Sequence, residues 1–264
     1  MNLNFYKYQG TGNDFVMIDD RGEVFDHENL ALVRQICHRK FGIGADGLIL
    51  IRNHAEYDFE MIYFNADGSQ SMCGNGARCA VAFSNFLGIF LGKTKFLAID
   101  GSHEAIISND EVELKMSNVD QLLPSGKDVF VDTGSPHHVR MVEDVQKYQV
   151  LDEGRLVRNH KSYAPAGTNV NFVQEISESQ IFVRTYERGV ENETLSCGTG
   201  VTAAALAFGK KEGHQIIKIE TLGGQLSVRF IKKGDGSFDD IWLIGPAKQV
   251  FKGEYQINES PLES

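Results

Sequence analysis

The chain passes twice through the same order of features, and this limits its fold more than any other property. The first pass holds GTGNDFVMID (10–19), GADGLILI (44–51) and YDFEMIYFNADGSQSMCGNGARCAVAF (57–83). The second holds DTGSPHHVRMV (132–142), AGTNVNFV (166–173) and QIFVRTYERGVENETLSCGTGVTAAALAF (180–208). Each is a Gly-turn with a strand, a second strand, a strand ending in a polar loop, then C-G-x-G and a helix. Asp67 and Glu191 both stand six residues before the cysteine, and Gly76 and Gly200 three after it. A shared order over about seventy residues a side favours duplication over chance alignment of Gly-rich loops.

The runs Asp58–Phe64 and Gln180–Tyr186 read as strands. The segment Gly76–Leu91 carries Ala80, Val81, Ala82, Phe83, Phe86, Leu87, Ile89 and Phe90, and Val201–Phe208 is almost wholly apolar. Helices apolar all round are buried rather than laid on a surface. A sheet wrapped around a central helix, twice over, would bury both. A further helix near His27–Lys40, N-capped by Asp26, should pack outside.

The other sequence properties narrow the function classes. The chain has 264 residues, 42% hydrophobic and 23% charged, in the range of soluble globular proteins. No window approaches the ~18 consecutive apolar residues of a membrane helix. The N-terminal MNLNFYKYQG has no basic stretch followed by an apolar region, so no secretory signal is read and the cytoplasm is the expected compartment. A net charge of −10 without basic clusters argues against a nucleic-acid surface. The four cysteines, Cys37, Cys73, Cys79 and Cys197, form no C-x-x-C, and the histidines are not spaced as zinc partners, so no metal is expected. Cys37 and Cys79 lie in apolar helical stretches and read as small buried hydrophobes.

Cys73 and Cys197 open the two buried helices. The first N–H groups of a helix lack internal partners and, with the helix dipole, form an anion site. The same location favours thiolate. Each C-G-x-G loop therefore offers a base together with a carboxylate cradle. Two such loops related by a pseudo-twofold axis would set sulfurs on opposite faces of one α-carbon. One thiolate would take a proton and the other thiol return one, while helix donors stabilise the enolate-like carboxylate.

The strings GTGNDF, FNADGSQSMCGNGARC and YERGVENETLSCGTG resemble the signatures of the diaminopimelate epimerase family, over nearly the whole chain. The resemblance implies an α+β fold of two pseudo-symmetric domains, each a mixed β-sheet rolled into a barrel around a central buried helix. The halves would be 1–117 and 118–249, with the tail from about 250 to 264 packing back on the first. It implies interconversion of LL- and meso-2,6-diaminopimelate in lysine and peptidoglycan precursor synthesis, with no cofactor or metal, by a homodimer. Cys73 and Cys197 match the acid/base cysteines. Gly74, Asn75, Gly198 and Thr199 match the backbone cradle for the reacting carboxylate, and Asn13 a substrate-contacting Asn. Asn65, Asn169 and Arg188 match residues holding the distal end of the substrate. Glu187 matches a residue that binds substrate and tunes the cysteines, and His137 a second tuner.

Two positions depart from the pattern. Gly47 stands in G-A-D-G where many relatives have Gln, and Ser135 in G-S-P-H where many have Asn. The loop between Asn65 and Cys73 is also one residue shorter than in some relatives. Rival readings are a proline or hydroxyproline racemase of the same architecture, a ring isomerase with a carboxylate base, and a non-catalytic amino-acid-binding module with inert thiols. Arg188 and the Asn set favour a substrate with a second amino-acid head, which proline lacks.

Overall fold

A strand that is apolar without alternation must be covered on both faces. Phe15–Ile18 and Leu48–Ile51 are such strands, and none of their side chains is more than 1% exposed. The computed structural model describes residues 2–109 and 111–257. The chain divides into two units, residues 2–109 with 247–257, and residues 111–246.

The first unit runs β1 (Asn2–Gly10), β2 (Asn13–Asp19), α1 (Leu30–Cys37), β3 (Gly47–Arg52), β4 (Phe59–Asn65), α2 (Gly74–Phe86), β5 (Lys93–Ala98) and β6 (Gly101–Ser108). The pairings are β1–β2 antiparallel, β2–β3 parallel, β3–β4 antiparallel, β4–β5 parallel and β5–β6 antiparallel. Odd and even residues of β2 and β3 serve different helices. Val16, Ile18, Leu48 and Leu50 pack with Leu32, Val33 and Ile36 of α1. Phe15 and Ile49 meet the first turn of α2 at Gly76. The sheet wraps α2, which touches β1, β2, β3, β4 and β6.

The second unit runs β7 (Glu111–Lys115), β8 (Leu123–Ser125), β9 (Asp128–Asp132), β10 (Pro136–Met141), α3 (Val150–Arg158), β11 (Asn169–Ser177), β12 (Gln180–Glu187), β13 (Asn192–Thr194), α4 (Gly198–Phe208), β14 (Gly213–Thr221), β15 (Gly224–Lys232) and β16 (Phe238–Pro246). It repeats the ladder: β9–β10 antiparallel, β10–β11 parallel, β11–β12 antiparallel, β12–β14 parallel and β14–β15 antiparallel. The largely apolar α4 is wrapped by β9, β10, β11, β12, β14, β15 and β16. Its residues Val201, Ala203, Ala204, Ala205, Leu206 and Phe208 are buried among Val183, Ile219, Val228, Phe230 and Leu243. The fold is α+β, with a mixed sheet around one buried helix in each unit.

The chain passes from the first unit to the second once and returns once. β7 pairs with β16, so the second unit begins at Glu111, one strand before the expected cut at 117. After β16 the chain returns through β17 (Lys248–Gln256), antiparallel to β1 in the first unit. Residues 258–264 of the expected returning tail lie outside the described residues.

Four helices differ from the sequence reading. α1 starts at Leu30 and is capped by Asn29, whose Oδ1 accepts from Leu32 N at 3.0 Å, rather than by Asp26. Asp26 instead accepts from Glu28 N at 3.2 Å in the turn before it. α2 and α4 begin directly after their cysteines, at Gly74 and Gly198, two and three residues earlier than expected. α3 was not expected. It stands in the second unit where α1 stands in the first, between the two parallel strands, and Val150 packs against Val170, Phe172 and Tyr186. None of the helices among the described residues is long and apolar enough to cross a membrane.

Candidate active site

Each of the two cysteines is the N-cap of its unit's buried helix. Cys73 is extended at the entry to α2, and its Sγ accepts from Gly76 N at 3.4 Å. The turn is tight at this third position, where a Cβ on Gly76 would lie 3.2 Å from Ile49 and 3.4 Å from Phe15. Around Cys73 the first unit gathers Asn13 and Asn75. The Cys73 thiol donates to Asn13 Oδ1 at 3.5 Å, and Asn75 Nδ2 donates to the same oxygen at 3.4 Å.

The orientation of Asn13 is set by a residue that sequence reasoning missed. Asn13 Nδ2 donates to Asp46 Oδ2 at 2.6 Å, which leaves Oδ1 turned toward Cys73. Asp46 is held by Arg39 at 2.7 Å, and Arg39 also pairs with Asp14 at 2.7 Å, where Lys7 makes a further pair at 2.7 Å. Burial raises the Asp14 carboxyl, but hydrogen bonds from Arg39 and Lys7 outweigh it and hold the group down at about 2. Beneath α2's first turn, the wholly buried Arg78 donates to Asn75 Oδ1 at 2.9 Å and to Thr11 Oγ1 at 3.2 Å. Its burial opposes the guanidinium charge, and among the described residues its Nε and Nη1 have no hydrogen-bond partner.

Asn65 ends β4 directly opposite Gly47. Its Oδ1 accepts from Tyr63 OH at 2.8 Å, and its Nδ2 donates to Ser69 Oγ at 3.0 Å and Ser71 Oγ at 3.1 Å. The Tyr63 ring lies over Gly47 so closely that a Cβ there would collide with it. Tyr63 thus fills the space that a longer side chain at 47 would take. Asp67, noted from its spacing, ties the loop to Cys73 by accepting from Ser69 N at 2.8 Å.

In the second unit Cys197 is buried at the entry to α4. Its Sγ is 3.5 Å from Thr199 Oγ1, which is 2.9 Å from His137 Nε2. His137 therefore meets Cys197 through the Thr199 hydroxyl. Behind it, Asn171 Nδ2 is 3.0 Å from His137 Nδ1, and Asn171 Oδ1 accepts from Thr185 Oγ1 at 2.9 Å. Burial, helped by the Arg188 charge, pulls His137 down to about 3, so it is neutral. Thr133 Oγ1 holds the Thr199 carbonyl at 2.9 Å.

The distal-end candidates of this unit also cluster. Asn169 Oδ1 accepts from Arg188 N at 2.9 Å, and Asn169 Nδ2 donates to Ser135 Oγ and to the Pro136 carbonyl, both at 3.0 Å. Ser135 thus serves as an anchor for Asn169. Glu187 Oε2 accepts from Thr194 Oγ1 at 2.9 Å, across the β12–β13 pair. Glu191, with φ at +57°, caps Gly189 N at 3.0 Å and pairs with Arg158, so it holds the loop before Cys197. Asp46, Tyr63 and Asn171 were missed. The available signal was alternation: Asn169 and Asn171 are two residues apart, hence on one face of a strand otherwise apolar.

No group of three or more His, Cys, Asp or Glu among the described residues is arranged to hold a metal ion. The family model described as diaminopimelate epimerase matches residues 5–120 and 129–249. A protein of Flavobacterium psychrophilum named diaminopimelate epimerase is 50% identical over 255 residues, 95% of this chain and 99% of that one. A protein of the same name from Aquifex aeolicus is 40% identical over 284 residues, covering 99% of this chain and 100% of its own. Among solved structures, a phenazine biosynthesis protein of the PhzF family from Bacillus anthracis superposes with a TM-score of 0.78. It covers 97% of this chain and 100% of its own at 12% identity, a likeness of fold alone.

Proposed function

Because the chain belongs to the diaminopimelate epimerase family, we propose that it interconverts LL- and meso-2,6-diaminopimelate by a two-base mechanism with Cys73 and Cys197 as its acid and base. The observation that carries the reading is the matched pair of cysteines, each N-capping a buried helix at the same place in a duplicated ladder.

The chemical difficulty is the α-proton of an amino acid, whose removal leaves charge that needs stabilising. The N–H groups at the two helix entries, over Gly74, Asn75, Gly198 and Thr199, are suited to the reacting carboxylate, where that charge collects as the proton departs. Asn13 and Asn75 offer an amide oxygen and amide N–H groups for the reacting head. Asn65, Asn169 and Arg188 hold the far head, the guanidinium pairing with its carboxylate. In the forward step one thiolate takes the α-proton, and the other cysteine's S–H gives its proton to the opposite face. Glu187 and His137 tune the two sulfurs. The reaction uses no cofactor and no metal, and the enzyme acts as a cytoplasmic homodimer on this small molecule, with neither nucleic acid nor membrane as partner.

Turnover in heavy water tests this directly. The returning thiol carries solvent deuterium, so product formed early contains deuterium at the α-carbon and recovered substrate almost none. Cys73→Ala and Cys197→Ala each abolish epimerisation, since the two act as a unit. Near-wild-type epimerisation by either variant, or equal labelling of early substrate and product, refutes the two-base reading. Conversion of L-proline at a rate comparable to diaminopimelate would instead favour the proline-racemase reading.

A further inference from the structure

The two halves differ in one layer. The strand registers equate Ile49 with Asn171 and Tyr63 with Thr185, since each pair lies cross-strand in the third and fourth strands of its half. Phe15 and His137 occupy matching places on β2 and β10, opposite Gly47 and Asn169 respectively. In the first unit Phe15 and Ile49 underlie the helix entry. In the second, His137, Asn171, Thr185 and Thr202, all buried, stand around the entry to α4. A buried polar group without a partner is costly, so the donors and acceptors here must be matched.

Matching them fixes the direction of each hydrogen bond. Asn171 Nδ2 lies 3.2 Å from the His138 carbonyl, which can only accept, and Asn171 Oδ1 takes the Thr185 hydroxyl. The amide is thereby oriented with Nδ2 as donor toward His137 Nδ1. A neutral imidazole that accepts at Nδ1 carries its proton at Nε2. His137 Nε2–H then donates to Thr199 Oγ1, and the single hydroxyl hydrogen of Thr199 is left to point at Cys197 Sγ. Gly200 permits this arrangement, because a Cβ there would collide with Asn171 Oδ1. We propose that Asn171 and the Thr199 hydroxyl are positioning residues that orient a one-way chain of hydrogen bonds onto the Cys197 sulfur and so favour its thiolate. A donor to the charged form lowers a pKa.

Cys73 is set differently. The amide oxygen turned toward it is an acceptor, held that way by Asp46, and the Arg78 guanidinium in its own unit interacts with Cys73 electrostatically. The second unit carries charged groups on the elements around the Cys197 chain. Arg188 acts on His137, Glu187 bonds Thr194, Asp132 on β9 accepts from Gly134 N at 2.9 Å, and α4 has no charged residue.

The inference rests on Cys197 being an acid/base residue, but it is tested on the thiol itself, without turnover. In a Cys73→Ala background, the rate of iodoacetamide labelling at Cys197 is followed against pH by peptide mass spectrometry, with Thr199 as Thr, Val or Ser. Thr199→Val is expected to raise the midpoint by about one pH unit, which is tenfold less thiolate below it. Thr199→Ser keeps the hydroxyl and leaves the midpoint in place. Asn171→Leu frees the imidazole to carry its proton at Nδ1 and moves the midpoint the same way as Thr199→Val. In a Cys197→Ala background, Thr199→Val leaves the Cys73 midpoint unmoved. An unmoved Cys197 midpoint in Thr199→Val and Asn171→Leu, an equal rise in Thr199→Ser, or a parallel shift at Cys73 overturns the proposal.

Discussion

Gly47→Ala tests how the departure at this position is accommodated. The residue lies in regular β3 with no left-handed φ, so alanine meets no backbone penalty, and the whole effect is steric. Its Cβ would strike the Tyr63 ring and stand 2.5 Å from the Phe64 carbonyl, a backbone atom that cannot step aside cheaply. Overpacking of this kind costs about 1–3 kcal/mol. A displaced Tyr63 also loses its 2.8 Å bond to Asn65 Oδ1, about 1 kcal/mol more. The sum, roughly 2–4 kcal/mol, lowers Tm by roughly 4–16 °C at about 2–4 °C per kcal/mol. Gly22→Ala is the control, since the nearest atom to its Cβ is Val24 Cγ1 at 3.8 Å, and it should stay within ~0.5 kcal/mol. Scanning calorimetry reads the stability, and initial rates on diaminopimelate read KM, which should rise because Asn65 is no longer held. Tyr63→Phe, which keeps the ring, should raise KM with little loss of Tm. If Gly47→Ala melts with Gly22→Ala and keeps its KM, then Tyr63 is not the residue that fills this space.

The other expectations are more direct. Asp46→Ala removes the acceptor that orients Asn13, a charge-assisted bond worth about 1.5–3 kcal/mol, so kcat/KM should fall roughly 10–100-fold with far-UV circular dichroism unchanged; an unaltered rate would mean that Asn13 is oriented by something else. Burial pushes the Cys37 thiol up to about 12 and the Cys79 thiol up as well, so at pH 8 neither should be labelled by iodoacetamide in the folded protein, and labelling of either would contradict its burial. His137 is held at about 3 in the fold against ~6.5 in an unfolded chain. Between those values the unfolded state binds the extra proton, so this stability is complete above about pH 6.5 and declines as pH falls toward 3. Urea midpoints at pH 7, 6 and 5 should therefore fall together with pH, and more shallowly in His137→Gln; equal slopes would refute the assignment.

Much of this was legible in the sequence because the features that carry it are local. Two C-G-x-G strings, each followed by an apolar helical run, could be read without any three-dimensional information. The continuous runs FVMI and LILI already required two covering layers. What was not legible depended on tertiary partners. α3 carries Gly154 in mid-helix, which weakens a helical reading, yet the Tyr186 side chain leaves no room for a Cβ there and packing on β11 and β12 secures the helix. The cap of α1 fell to Asn29 because the turn at 26–29 uses Asp26 for its own hydrogen bond. Asp46 and Asn171 are single polar residues in apolar surroundings, and nothing local separates an orienting side chain from a tolerated one. Their roles follow only from which atoms they meet across the sheet.

The duplication explains both the similarity of the two cysteine sites and the one way in which they differ. Sheet side chains crowd the turn three residues after each cysteine: Phe15 and Ile49 in one half, and Asn171 in the other, where a Cβ would collide outright. The backbone demand is therefore shared, and substituting the layer beneath does not disturb it. With an apolar layer the entry takes its polar contacts from the loop side, through Asn13, Asn75 and Asp46. With a polar layer it takes them from below, through His137, Asn171 and Thr199. In the proposed two-base reaction one sulfur holds a proton while the other lacks one, and the reverse direction exchanges those states. A shared backbone with unlike layers thus gives two cysteines in matching helix-entry positions different hydrogen-bond partners.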